Sequence, residues 1–113
     1  MPRPTRISDF PPAAVDEALR RLGRNIRTAR LRRKLPQAEL AQRMGVSRFV
    51  VAAVENGKPT TGVAVYLGAL WALGLLGDMR DVASPDLDEE GKILERARSP
   101  KRTRAERNLS DDF

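Results

Sequence analysis

Between Arg20 and Lys34 the chain sets eight basic side chains and no acidic one. The chemistry open to such a run is electrostatic: guanidinium and ammonium groups that pair with phosphates rather than make or break bonds. A second segment follows at once, residues 37–57, reading Gln-Ala-Glu-Leu-Ala-Gln-Arg-Met-Gly-Val-Ser-Arg-Phe-Val-Val-Ala-Ala-Val-Glu-Asn-Gly. Small, turning and capping residues fall in it at intervals that suit two short helices and a tight corner. Catalytic sets are not visible. The chain has no His and no Cys, which removes imidazole and thiolate catalysis, zinc sites with those ligands and disulfide stapling together. No convergent acid–base or nucleophile–base group replaces them. The sequence therefore reads as a non-enzyme with no metal and no cofactor.

The elements that must position these residues follow from length, charge and periodicity. With 113 residues, the chain has room for one small domain with tails. A net charge of +6 and a pI near 10.7 point to a polyanionic partner, nucleic acid before membrane. There is no secretory leader and no run of ~18 apolar residues, so the expected location is cytoplasmic. Residues 1–12 hold four of the eight prolines, with Arg3 and Arg6 among them. Residues 1–11 are accordingly expected to be an extended arm. Residues 12–83 form the expected folded domain. Residues 84–113 are expected to be a charged, poorly ordered tail, acidic up to Glu90 and basic from Lys92 to Arg107.

Apolar spacing predicts an all-α domain of five helices. Val15, Leu19, Leu22, Ile26 and Ala29 make one stripe along a first helix from about Pro12 to Arg33, broken by Leu35-Pro36. A second helix is expected over Gln37–Met44, burying Leu40, Ala41 and Met44 and ending at Gly45. Ser47 caps a third that runs through about Asn56, with Val51 and Val54 inward. Thr60 or Thr61 caps a fourth reaching Leu73, with Leu67, Leu70, Trp71 and Gly74 in register. Val63-Ala64-Val65 suits a strand equally well. A short fifth helix covers Leu75–Val82, and Asp88–Arg98 is expected to become helical against a partner.

Each special position of residues 37–57 has a steric reason. Ala41 is small where two helices cross closely, Gly45 supplies the turn, and Val46 plugs the corner. Val51 and Val54 lock onto Leu40 and Met44. Two helices joined by so short a turn leave one face of the second free to enter a major groove.

On these residues the segment resembles the helix-turn-helix of the XRE/lambda-repressor family, and Ile26-Arg27-Thr28-Ala29-Arg30 is similar to that family's first helix. The resemblance spans roughly residues 20–75. It implies double-stranded DNA as partner, in the form of a palindromic operator bound by a homodimer. Gln37 then touches a phosphate and braces the recognition helix. Ser47 offers its hydroxyl or the helix N-terminus to phosphate. Arg48 reads guanine through O6 and N7, or else holds a phosphate. Asn56 and Lys58 hold the backbone, and Arg30 and Glu55 form a buried ion pair.

Two departures from the family pattern stand out. The outward positions of the third helix are Phe49, Val50, Ala52 and Ala53, so hydrogen-bond readout is expected to be sparse. Phe49, Ala52 and Ala53 either meet thymine methyl groups or, for Phe49, turn back into the core. Pro36 stands in place of the usual Ser or Thr cap and has no side-chain acceptor.

A dimer needs a seam, and Leu70, Trp71, Leu75, Leu76 and Met79 are the apolar residues available for it, with Trp71 equally placed for the monomer's core. The stretch from Ala69 to Leu76, with Asp88-Glu89-Glu90-Gly91, Leu94-Glu95-Arg96-Ala97-Arg98 and Pro100-Lys101-Arg102, resembles HipB-like antitoxins. That likeness implies a bacterial operon repressor, nucleoid-associated when bound to DNA, which also binds a HipA-like serine/threonine kinase toxin. Two other readings stand beside it: a stand-alone XRE-type regulator, and an interaction adaptor that has lost DNA binding.

Overall fold

The computed structural model describes residues 7–98; Arg3, Arg6 and the Pro100-Lys101-Arg102 motif lie outside them. The described residues form an all-helical chain: α1 (Ala13–Arg32), α2 (Gln37–Met44), α3 (Arg48–Glu55), α4 (Val63–Ala72), a 3₁₀ helix (Leu76–Asp81) and α5 (Glu89–Arg98). They divide into two compact units, one ending at Gly77 and one beginning at Asp78. The domain limit read from the sequence, residue 83, falls within the second of these.

In the first unit α3 is the hub, packed against α1, α2 and α4. Val51 and Val54 are sealed beneath it with Ile26 of α1 and Leu40 of α2. Removing each of these side chains from water is worth roughly 1.5–3 kcal/mol. Only the C-terminal half of the predicted α1 stripe takes part. Val15 is exposed and Leu19 and Leu22 are half-buried.

Chain reversals set the angle between these helices. Gly45 adopts φ 72°, and the N–H groups of Gly45 and Val46 close α2 on the carbonyls of Gln42 and Ala41. The left-handed turn lets α3 start with only three residues between it and α2. Ser47 caps α3, its Oγ accepting from the Val50 N–H at 3.4 Å. Gly57, at φ 66°, has a second reason to lack a side chain. A Cβ there would lie 2.6 Å from Arg20 Cα, and one on Gly23 would lie 2.5 Å from the Val54 carbonyl oxygen. The backbone of α1 therefore lies directly against the end of α3.

Two expectations are corrected in α4. Its cap is Gly62 rather than Thr60 or Thr61, because Lys58–Thr61 close a turn through the Thr61 N–H and the Lys58 carbonyl. Its buried face is Tyr66, Ala69, Leu70 and Leu73, about one residue round from the predicted register. Leu70, placed in the dimer seam from sequence, belongs to this core at 8% exposure, while Trp71 stands outside it at 62%.

In the second unit Glu89–Arg98 forms a helix, α5. Asp88 Oδ1 accepts from the Gly91 N–H at 2.9 Å. Glu89 and Glu90 occupy its first turn, and Arg96 and Arg98 its last, which suits the helix dipole. It buries no residue, and Leu87, Ile93 and Leu94 are exposed.

Candidate nucleic-acid interface

The site begins with a buried polar node. The Arg30 guanidinium meets the Glu55 carboxylate through two bonds, Nε to Oε2 at 2.6 Å and a terminal nitrogen to Oε1 at 3.0 Å. Both side chains are nearly sealed, at 8% and 4% exposure. Arg30 also donates to the Leu35 carbonyl at 2.7 Å, and Gln37 Nε2 donates to Glu55 Oε1 at 3.0 Å. Every group is satisfied, which a charge in the interior requires. The node joins α1, the α1–α2 loop, the first residue of α2 and the last of α3.

Above the node opens a cleft of about 750 Å³ between α1, the start of α2 and α3. Gln37, Arg48, Ala52 and Asn56 line it from the predicted set, and Arg24 and Arg27 line it from α1. Arg48, Ala52 and Asn56 recur every four residues, hence along one face of α3 and its cap. Phe49 and Ala53 sit one step round. Phe49 is 75% exposed, so it does not fold back into the core, and the Arg48 guanidinium lies 5.4 Å from its ring centroid. Ser47 is exposed at the start of α3.

Lys58 is exposed beyond α3, and its backbone is pinned: its N–H reaches the Ala53 carbonyl, and its carbonyl accepts from Tyr66 Oη at 2.8 Å. Burial raises the Tyr66 pKa above the ordinary phenol value, which keeps the hydroxyl as donor. Of the seam residues, Leu76 is exposed and Leu75 half-buried in the first unit, and Met79 is half-buried in the second.

Sequence reading treated Arg24 and Arg27 only as members of a basic run and did not single out Gly23 or Tyr66. A usable signal for the arginines was the position four residues earlier. Arg20 and Arg21 have Asp16 and Glu17 there and pair with them. Arg24 and Arg27 have Arg20 and Gly23, so no carboxylate is within reach along the helix.

Residues 21–83, just over half the chain, match the family model described as a helix-turn-helix domain. No curated protein and no solved structure matches the chain.

Because the node is buried, removing one partner strands the other charge. Glu55→Ala is expected to lower unfolding stability by about 3–5 kcal/mol, and Arg30→Met with Glu55→Leu to recover most of it. Urea unfolding followed by circular dichroism checks both. A single variant within about 1 kcal/mol of the parent would contradict the node's role.

Proposed function

The chain belongs to the helix-turn-helix domain family of DNA-binding regulators, and from that premise we propose that it is a sequence-specific transcriptional repressor. In this reading α3 lies in the major groove of a palindromic operator. The observation that carries it is the outward face of α3, where Arg48 and Phe49 are exposed while Val51, Val54 and Glu55 hold the opposite face in the core.

Roles follow from chemistry and position. Arg48 pairs with a guanine edge through O6 and N7, while the Phe49 ring and the Ala53 methyl meet thymine methyl groups. Ala52, beside Arg48 in the cleft lining, adds an apolar contact at the groove edge. Gln37, Ser47, Asn56 and Lys58 hold phosphates on either side. One helix reads few bases, so two copies bind half-sites ~34 Å apart. The seam then uses exposed apolar surface, with Trp71 and Leu76 in it and Leu70 left to the core.

We further infer a HipB-like antitoxin role, in which the protein controls its own operon and binds a HipA-like serine/threonine kinase toxin. Support comes from α5, a helix whose Ile93 and Leu94 are exposed among the described residues. A segment of that kind docks on a partner without first having to fold.

Selection of duplexes from a random library is expected to yield a palindrome. Arg48→Ala is then expected to cost ~1–3 kcal/mol and to relax preference at one position per half-site. Recovery of no preferred sequence by the parent protein would overturn the repressor reading. Truncation after Pro85 is expected to leave the unit ending at Gly77 folded and operator binding intact, but to abolish capture of the kinase. A truncated chain that still neutralises the kinase would remove α5 from that role.

A further inference from the structure

We propose that the α1 wall of the cleft between α1 and α3 binds phosphodiester groups of the DNA backbone, held by Arg24 and Arg27. The inference rests on the DNA-binding reading and adds to it two residues of α1 that lie outside the recognition helix.

Arginines among the described residues of the first unit differ in their partners. Arg20, Arg21 and Arg43 each reach a carboxylate four residues earlier, at 3.0, 3.0 and 3.1 Å. Arg33 donates to the Ala29 carbonyl at 2.9 Å, and Arg30 is consumed by Glu55. Arg24, Arg27 and Arg48 are exposed and take part in none of the hydrogen bonds or ion pairs among the described residues; Arg48 keeps only its ring contact with Phe49. These same three line the cleft. Three guanidiniums without a partner thus face one space, from two helices, while Arg32 and Arg80, which also lack one, lie outside its lining.

The floor of that space does not cancel their charge. Glu55 is the single carboxylate in the lining, and both its oxygens are taken by Arg30 and Gln37. Gln37 Nε2 keeps a second hydrogen for a ligand after its bond to Glu55. Pro36 leaves α2 without a side-chain cap, so its first N–H groups add donors at the same edge. The forked guanidiniums of Arg24 and Arg27 on the α1 wall, with amide donors at the start of α2, match a phosphate oxygen set rather than a base edge. Contacts from α1 carry no base information, so this site strengthens binding to any duplex.

Anisotropy titrations of the full chain from 50 to 200 mM KCl test this, on a duplex selected by the protein and on a scrambled duplex of equal length. For Arg24→Gln with Arg27→Gln, the slope of log affinity against log salt is expected to fall by about 2, near 0.9 per phosphate contact, on both duplexes. The ratio of the two affinities is expected to stay as in the parent. Arg20→Gln with Arg21→Gln removes the same charge outside the cleft and is expected to leave the slope near the parent value. An unchanged slope in the first variant, an equal fall in the control, or a loss confined to the selected duplex would overturn the proposal. A parent chain that binds neither duplex, yet binds inorganic tripolyphosphate through Arg24 and Arg27, would assign the cleft to a free phosphoanion. That result would defeat the DNA-binding reading separately.

Discussion

The position of the recognition helix depends on one buried ion pair with an amide attached. Arg30, Glu55 and Gln37 draw the end of α1, the start of α2 and the end of α3 to a common point. An apolar contact at that place would hold the helices together but would tolerate rotation about it. A bidentate guanidinium–carboxylate pair does not, since both parallel bonds are lost when the plane turns. Gly23 and Gly57 complete the constraint by letting the α1 backbone lie against the end of α3, with no side chain to separate them. Specificity of arrangement, rather than net stability, is the effect attributed here to burying two charges.

That constraint also shapes the electrostatics of the surface. Because Glu55 is spent inside, the cleft above it is walled by cations without a competing anion. The outward face of α3 is by contrast mainly apolar, with Phe49 and Ala53 beside Arg48. The proposed function accordingly divides affinity and selectivity between different residues. In the proposed reading, positive charge on α1 and at the ends of α3 supplies attraction to any duplex, and a small number of contacts from α3 discriminates between sequences.

Much of the fold was legible because its punctuation is local. Gly45 and Ser47 announce a turn and a cap whatever surrounds them, and the helix start fixed by Ser47 puts Val51 and Val54 on one face at i, i+3 spacing. α4 offered no such contrast. From Val63 to Ala72 every residue is apolar or glycine, so periodicity alone could not choose between the register of Tyr66, Ala69 and Leu70 and its neighbour. Its cap was misplaced because Thr60 and Thr61 are good caps by type but are held in a turn by Lys58. The nearness of Gly23 to Val54 is a tertiary fact with no sequence period. In the site, the outward residues of α3 could be named from position. The separation of Arg24 and Arg27 from their paired neighbours required attention to the residue four places back. The α5 helix was underestimated because its lack of apolar content hid a complete set of local signals, from the Asp88 cap to Arg98.

The central claim is that α3, held by this node, enters the major groove of DNA in a paired arrangement. Methylation interference with dimethyl sulfate tests it directly, because guanine N7 is exposed in that groove. The account predicts that N7-methylated guanines are excluded from the bound fraction at two places ~34 Å apart along one face of the duplex. Identical methylation patterns in bound and free DNA would contradict it.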